Sequence, residues 1–402
     1  MSTSLLYHTQ GIRGFQFLNF KYKPKTVIAE ISKRHNKFKC SNCNSSNVTA
    51  TFIKKRLVKG LPIGSSRFYL NVQTHRIKCR NCNAYLTESL DFLSSQKSHY
   101  TKRLEQTIIA LRPEMTIQAL SIYFNLHWGT VKEIEKRHLR KKYSKVNLKD
   151  VSFIGIDEIH MGFNGFLTIV RDLEKGSVLH IGDGKGSDAL VEFTLNLKRS
   201  KAKIKAVALD FGRPYSKWAR ESVPDAIVVY DHFHLIKLMN DKLDKIRRST
   251  MSKLEDEEKK RLKNKRWLFL KNIENLEDKT KDELETLRTI YSDLGTASML
   301  KESLRNIYSI AEFDYEAELA LNTWCKMAIK TGISFLKTMA KTITQNLTGI
   351  LSYWNLRITS AAMEGFNNKI RWLNKQAYGY RDTEYLKLKI FDLPKAKDLK
   401  LC

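Results

Sequence analysis

The clearest pattern in the chain is a series of short apolar runs that begins at residue 152, with polar turns between them. Residues 152–159, 166–173 and 177–183 follow one another closely, which predicts a meander of three antiparallel strands. The next predicted elements are a helix at 187–200, a strand at 204–210, a helix at 213–221 and a strand at 226–231. Three strands followed by alternating helices and strands predict a mixed α/β sheet.

The segment between residues 60 and 82 has a different pattern. Residues 67–79 alternate apolar and polar side chains, as a half-buried strand does, and the sequence GLPIG at 60–64 predicts its turn. Two CxxC pairs flank this hairpin: Cys40, Cys43, Cys79 and Cys82. Two such pairs complete one tetrahedral Cys₄ site, so we expect a zinc ribbon with one structural Zn²⁺. Two disulfides or inert core thiols are the alternatives.

Helical periodicity appears at residues 103–111, where apolar side chains recur at i, i+4 and i+7. Helices are also predicted at 116–123 and 127–140, with Thr116 as a cap and a break at 124–126. This pair predicts a helix-turn-helix; ordinary helix packing is the alternative. The residues expected to pack between the helices are Ala119, Leu120, Ile122, Val131 and Ile134. The residues expected to contact DNA are His127, Trp128, Thr130, Lys132 and Lys136.

A long segment after residue 231 is rich in helix-forming residues. The chain has no proline between Pro224 and Pro394, and residues such as 252–293 are mainly Lys, Glu, Leu and Arg. We therefore predict an all-helical insertion at about 236–350. Its core is expected to include Trp267, Trp324 and Trp354.

The charge is strongly positive and unevenly distributed. The net charge is +29, and residues 1–150 hold 28 Lys+Arg against 8 Asp+Glu. A concentrated positive field favours a nucleic-acid partner; a solubilising surface is the alternative, and binding to acidic membranes is disfavoured because no single amphipathic helix gathers the charge. The chain contains no apolar stretch of membrane-spanning length and no signal-peptide pattern. We expect a cytoplasmic protein that contacts no membrane.

Three acids occupy positions suited to binding metal. Asp157 and Asp210 each end an apolar strand, and Glu364 lies in a helical pattern downstream. Carboxylates brought together repel one another and need cations between them. Oxygen ligands favour two Mg²⁺, or Mn²⁺, which activate phosphodiester chemistry. Glu158 should point to the opposite face of its strand.

The motifs resemble those of bacterial insertion-sequence transposases of the DDE class, specifically the ISL3 family. The resemblance rests on the Cys₄ and helix-turn-helix segments, GIDEIH, ALDFGRPY, VVYDHFHLIKLMN and MEGFNNKIRWLNKQAYGYR. It implies a ribonuclease-H-like (retroviral-integrase-like) catalytic fold, in which the first and fourth strands are adjacent. It also implies that Asp157, Asp210 and Glu364 bind metal, and that Asp231 and His234 lie near the site.

This resemblance completes the predicted organisation, a multidomain α+β protein. The expected domains are a zinc ribbon at 1–95, a helix-turn-helix and basic linker at 96–147, and a catalytic domain at 148–402. The expected function is Mg²⁺-dependent cleavage and strand transfer on double-stranded DNA, at terminal inverted repeats and a target, by a homodimer or higher oligomer associated with the bacterial nucleoid. A stand-alone nuclease and a transposase-derived regulator are the alternatives. The predicted DNA contacts beyond Glu364 are Asn368, Arg371, Lys375 and Arg381.

Overall fold

The computed structural model describes residues 5–34, 38–211, 213–358 and 361–393. The outer limits of the first and last predicted domains, residues 1 and 402, lie outside these ranges. The chain forms two compact units, Met1–Ser144 and Lys145–Pro394. Each unit has apolar cores of its own.

The first unit contains a five-stranded sheet that follows a short helix, α1 (Leu5–Gln10). The strands are β1 (Phe15–Lys23), β2 (Thr26–Lys33), β3 (Val48–Lys59), β4 (Arg67–Cys79) and β5 (Tyr85–Thr87). Their order is β1-β2-β4-β3, and β5 pairs with β4. The predicted hairpin is confirmed, since Val48 pairs with Cys79 at its base and Lys59 pairs with Tyr69 beside the turn.

Strands β1 and β2 are absent from the predicted elements. A β-bulge between Phe17 and Asn19 shifts the register within β1 and breaks the alternation of apolar positions that would reveal the strand. Most of β1 is also exposed on both faces. The sequence of β1 therefore lacks the apolar alternation from which the strand and its pairing with β2 could be predicted.

Three helices complete the first unit: α2 (Lys102–Leu111), α3 (Ile117–Phe124) and α4 (Trp128–Lys142). All three were predicted, and the Thr116 side chain caps α3 as expected. One packing prediction is wrong, because Ile122 is 70% exposed. The inward face of α3 holds Leu120 and Phe124 instead. The helix runs one residue further than predicted and ends at Asn125, whose left-handed φ of 49° terminates it.

A second five-stranded sheet lies in the second unit. Its strands are β6 (Phe153–His160), β7 (Phe166–Asp172), β8 (Val178–Asp183), β9 (Ala206–Leu209) and β10 (Ile227–Tyr230), with helices α5 (Val191–Ser200) and α6 (Arg213–Ser222) between the last three. The strand order is β10-β9-β6-β7-β8. Strands β6, β7 and β8 are antiparallel, whereas β9 and β10 run parallel to β6. The first and fourth strands of this sheet are therefore neighbours, as predicted.

The segment after β10 is entirely helical in the residues described. Its helices are α7 (His232–Ser252), α8 (Asp256–Leu262), α9 (Arg266–Leu270), α10 (Asp278–Ile290), α11 (Ser292–Ile310), α12 (Asp314–Lys330), α13 (Ser334–Gln345) and α14 (Leu347–Leu356). Trp324 and Trp354 are buried in its core. Trp267 is 62% exposed, so its predicted place in the core is wrong.

The last two helices, α15 (Ala361–Gln376) and α16 (Thr383–Asp392), cover one face of the second sheet. Alternate residues of β6 face opposite sides. Ile154 and Ile156 pack in the core that contains α5 and α6 residues, while Ile159 packs with residues of α15 and α16. A Cβ at Gly155 would lie 3.1 Å from Met363 Cγ. The missing side chain at Gly155 therefore permits the close approach of α15 to β6.

Within the described ranges, no helix combines the length and apolarity needed to cross a membrane.

Two helical glycines, one tightly packed and one with open space, provide a matched test of the packing between helices α10 and α11. In α11, a Cβ on Gly295 would overlap the main-chain carbonyl of Arg288, whereas Gly365 in α15 has open space around it. We expect Gly295→Ala to lower the free energy of unfolding by about 1–3 kcal/mol. Gly365→Ala should raise it by about 0.5–1 kcal/mol, since alanine favours helix. Urea unfolding followed by tryptophan fluorescence measures both, and a stabilising Gly295→Ala would contradict the described α10–α11 contact.

Candidate active site and metal centre

The register of two parallel strands brings Asp157 and Asp210 together. In the β6–β9 pair, Ile154 is opposite Val207 and Gly155 is opposite Ala208. Continuing this register by two positions places Asp157 beside Asp210, at the ends of neighbouring strands about 4.8 Å apart. The two carboxylates therefore converge although 53 positions separate them in sequence.

Each carboxylate accepts a hydrogen bond from the next backbone N–H. Asp157 Oδ1 accepts from Glu158 N at 2.7 Å, and Asp210 Oδ1 accepts from Phe211 N at 2.6 Å. Burial raises the pKa of Asp157 above its ordinary value, and the charge of Asp210 acts in the same direction. The hydrogen bond from Glu158 N–H and the electrostatic effects of His234 and Lys237 oppose this rise in pKa. The pair is thus a site where negative charge is unfavourable without a nearby cation.

His234 lies beside the second aspartate. Its Nδ1 lies 3.2 Å from Asp210 Oδ1. Asp231 is fully buried and caps α7, accepting a hydrogen bond from Phe233 N at 3.0 Å. His232 Nδ1 lies 3.0 Å from the same carboxylate oxygen of Asp231. The cap fixes the start of α7, and His234 lies in that first helical turn.

Asn367 is a site residue that the sequence patterns did not single out. Its Nδ2 donates to Asp157 Oδ2 at 2.6 Å, a contact between residues 210 positions apart. The Asn367 side chain is nearly buried, at 4% exposure. Its Oδ1 is buried too, and within the described ranges it has no hydrogen-bond partner. The only available signal was its position, three residues after Glu364 on the same helix.

Glu364 lies on α15, one helical turn before Asn367, and its side chain is exposed. Residues three apart on a helix have Cβ atoms about 5–6 Å from one another. Among the residues described, only the four cysteines form a set of three or more candidate ligands whose atoms all lie within 4.8 Å. Asp157, Asp210 and Glu364 therefore do not form such a tight set.

Glu158 points away from this site, as predicted from strand alternation. Its Oε1 accepts a hydrogen bond from Tyr215 Oη at 2.6 Å. Tyr215 Oη also accepts from Gly186 N at 2.9 Å and lies 2.9 Å from Thr168 Oγ1. Glu158 thus belongs to a hydrogen-bond network on the opposite face of the sheet.

The stripe predicted beyond Glu364 is exposed. Asn368, Arg371 and Lys375 lie on the solvent side of α15, and Arg371 Nη1 donates to Asn368 Oδ1 at 2.7 Å. A turn with left-handed φ values of 53° at Tyr378 and 94° at Gly379 follows the helix. Arg381 is exposed just beyond it. The basic side chains of the stripe are therefore accessible to a ligand.

The four cysteines of the first unit form a compact cluster with all four Sγ atoms within 4.8 Å. Cys40 Sγ lies 3.6 Å from Cys82 Sγ, and Cys43 Sγ lies 3.5 Å from Cys79 Sγ. These distances are too long for disulfides, whose sulfurs are about 2.05 Å apart. They suit a tetrahedral ion with metal–sulfur bonds of about 2.3 Å. The four sulfurs could bind one zinc.

Backbone hydrogen bonds favour the thiolate form of two of these cysteines. The Cys82 N–H lowers the pKa of Cys79, and the Ala84 N–H lowers the pKa of Cys82. A thiolate is the form that binds zinc. The backbone N–H groups of the turn at the second CxxC pair thus favour the form of Cys79 and Cys82 that binds metal.

The helix-pair residues predicted to contact DNA lie along α4, from its N-cap His127 to Lys136. His127 is the N-cap of the helix, and its Nδ1 accepts from Gly129 N at 3.1 Å. Trp128 is exposed, with Lys132 Nζ 5.7 Å from its ring centroid. Thr130, Lys132 and Lys136 are half-buried. His127 therefore has a structural role in addition to the predicted one.

A buried lysine ties this helix pair to the sheet of the first unit. Lys59, near the end of β3, donates from Nζ to Asn125 O at 2.6 Å, in the α3–α4 turn. Burial, with the charge of Arg67, lowers the pKa of Lys59 to about 8. The turn before α4 is thus held by strand β3.

Comparison with known proteins gives consistent similarities. The family model described as a transposase, of the DDE class and the ISL3 type, matches residues 154–390. The chain is 31% identical over 357 residues to the transposase for insertion sequence element IS1001 of Bordetella parapertussis, covering 87% of each chain. It is 24% identical over 355 residues to the transposase for IS1557 of Mycobacterium tuberculosis, covering 82% of this chain and 79% of that one.

Among solved structures, the chain is similar to the Drosophila P element transposase strand transfer complex. The sequence identity is 15%, and the match covers 74% of this chain and 92% of that chain. The TM-score of 0.37 is too low to establish a common fold.

Metal analysis tests the cysteine cluster. We expect about one zinc per chain in the purified protein, and zinc binding should stabilise the β3–β4 hairpin because it links both of its ends. Cys79→Ser should lose the metal and make residues 38–90 sensitive to protease. Cys325→Ser is the control, because Cys325 is buried in the helical insertion. A zinc-free wild-type protein with a protease-resistant hairpin would contradict the assignment.

Proposed function

Because the chain belongs to the ISL3 family of insertion-sequence transposases, enzymes that cleave DNA and transfer its strands, we propose that Asp157, Asp210 and Glu364 form its catalytic centre. The observation that carries this proposal is the convergence of Asp157 and Asp210 at the ends of two adjacent parallel strands. The adjacency of the first and fourth strands supports a ribonuclease-H-like catalytic domain within the second unit.

The donor atoms at this site fit a hard divalent cation. The candidate ligands are the carboxylate oxygens of Asp157 and Asp210 and the buried Asn367 Oδ1, which has no hydrogen-bond partner among the described residues. Oxygen ligands of this kind suit Mg²⁺ or Mn²⁺. A family of this class uses divalent metal, and we propose two Mg²⁺ as the natural ions. When bound, they supply Lewis-acid activation of an oxygen nucleophile and neutralise charge on the phosphate.

Glu364 completes the proposed ligand set from helix α15. Two ions about 3.5–4 Å apart, each with ligand oxygens at about 2.1 Å, place the outermost oxygens about 8 Å apart. The third carboxylate of a two-ion site therefore need not lie within 4.8 Å of both aspartates. The contacts of Gly155 with Met363 and of Asp157 with Asn367 hold α15 against β6 on both sides of Glu364.

The neighbouring residues act on the aspartates. Asn367 fixes the Asp157 carboxylate through Oδ2, and His234 contacts the Asp210 carboxylate through Oδ1. Asp231, as the cap of α7, positions His234. We propose that these three orient the ligands, because a carboxylate with a fixed direction binds metal with less loss of entropy.

One site serves both reactions of transposition. In the first, water attacks the phosphodiester at the end of the element. In the second, the 3′-hydroxyl released there attacks a phosphodiester of the target DNA. Each step is attack of an oxygen nucleophile on phosphorus, so the same carboxylates serve both.

The basic surfaces supply the proposed DNA contacts. We propose that the zinc ribbon and the helix pair of the first unit recognise the terminal inverted repeats, with five residues at the DNA: His127, Trp128, Thr130, Lys132 and Lys136. The exposed stripe of Asn368, Arg371, Lys375 and Arg381 would contact the DNA end held at the carboxylates. Joining both ends of an element to a target requires two ends at once, which favours a homodimer or higher oligomer.

Substitution of the three acids tests the catalytic proposal. Asp157→Asn, Asp210→Asn and Glu364→Gln should each reduce Mg²⁺-dependent cleavage of an inverted-repeat duplex by more than about 100-fold. DNA binding, measured by mobility shift in Ca²⁺, should remain. Strand transfer from pre-cleaved ends should fall in parallel, because both steps use one site.

Asp183→Asn is the matched control, since Asp183 ends a strand of the same sheet and is bound to Lys387 at 2.7 Å. It should cleave as the wild type does. Full cleavage by Asp157→Asn would refute the proposal.

A further inference from the structure

The hairpin that follows the first catalytic aspartate presents an isolated aromatic ring. Phe163 lies at the tip of the β6–β7 connection and is 96% exposed. Its neighbours Gly162, Asn164 and Gly165 offer it no apolar cover. Both faces of the ring are free, although an apolar side chain is usually at least partly covered.

Hydrogen bonds order the backbone of the tip. Met161 N donates to Gly165 O at 2.7 Å, and Gly165 N donates to Gly162 O at 3.0 Å. Asn164 Nδ2 donates to Tyr380 O at 2.8 Å, which links the tip to the loop after α15. Because the backbone of the tip is already hydrogen-bonded, stacking of the ring on a ligand costs little further backbone entropy.

Basic residues lie on the segments next to the tip. Lys185 Nζ lies 5.0 Å from the ring centroid of Phe166 at the base of the hairpin, and Arg381 is exposed one residue beyond Tyr380. Asp183, at the end of β8, is paired with Lys387, and Asp382, next to Arg381, accepts a hydrogen bond from Tyr385 N at 3.0 Å. Tyr378, three residues before Arg381, is fully exposed as well. Exposed aromatic rings near basic side chains are typical of a surface that stacks bases and contacts phosphates.

The position of the tip relates it to the catalytic centre. Phe163 is six residues beyond Asp157, so it lies within about 20 Å of that residue at about 3.3 Å per residue. This distance spans only a few base pairs. A protein partner would require a contiguous apolar patch, which the flanking glycines and asparagine do not provide.

We propose that Phe163 stacks on a base displaced from the duplex next to the cleavage site, and so opens the DNA end for the carboxylates. This inference rests on the proposed function, since it places the DNA end at Asp157 and Asp210. Stacking does not depend on base identity, so the contact would open the end without reading its sequence.

Cleavage of paired and unpaired DNA ends tests this inference. The probes are two duplexes with the inverted repeat of the element that encodes this chain, one fully paired and one with three mismatched pairs at the cleavage site. Phe163→Ala should cleave the paired duplex about 10- to 100-fold more slowly than wild type. It should recover most of its activity on the mismatched duplex, because that end is already open. Phe163→Trp should retain activity on both.

Permanganate oxidation of unpaired thymines supplies a readout independent of catalysis. In Ca²⁺, wild type and Asp157→Asn should both make thymines at the cleavage site reactive, whereas Phe163→Ala should not. The control Tyr315→Ala removes an exposed aromatic ring from helix α12 and should behave as wild type.

Two results would overturn the inference. One is wild-type cleavage of the paired duplex by Phe163→Ala, and the other is an equal loss on both duplexes. Failure of the catalytic proposal is distinguishable, since it would appear as cleavage by Asp157→Asn with thymine reactivity unchanged.

Discussion

The second unit depends on one electrostatic constraint, which is the placement of two carboxylates at the ends of adjacent parallel strands. Asp157 and Asp210 share a register position, and burial raises the pKa of Asp157. Their mutual repulsion is unfavourable unless positive charge compensates it. Backbone N–H groups, His234 and Asn367 provide partial compensation within the chain. We propose that divalent metal, which a DDE transposase uses, supplies the remaining positive charge.

The packing of α15 follows from the same constraint. Asn367 must reach Asp157 from the helix, and this requires the helix backbone to lie close to β6. Gly155 provides the space, and Met363 fills it. Met363 and Asn367, on either side of Glu364 in α15, contact β6 and so position Glu364 near the two aspartates. The Gly155–Met363 and Asp157–Asn367 contacts join α15 to β6 across the long helical segment that separates α15 from β10.

The parts of this arrangement that are local in sequence could be predicted. The strands that end at Asp157 and Asp210 have continuous apolar runs, and the CxxC pairs have a spacing that serves one metal. The contact of Asn367 with Asp157 could not be predicted, because it joins residues 210 positions apart and an asparagine on a helix has no distinctive pattern. Strand β1 was missed because its bulge hides the alternation. Ile122 was predicted to pack between the helices, but Phe124 is the buried residue. The sequence pattern missed this because α3 extends through Phe124 and ends only at the left-handed Asn125.

The central claim is that Asp157, Asp210 and Glu364 bind the catalytic ions together. The most direct measurement is an anomalous difference map from crystals of the full chain on DNA soaked in Mn²⁺, with zinc at the four cysteines as an internal control. We expect manganese peaks between the carboxylate oxygens of Asp157 and Asp210 on one side and the Glu364 carboxylate on the other. Clear zinc density without manganese between the two aspartates would contradict it.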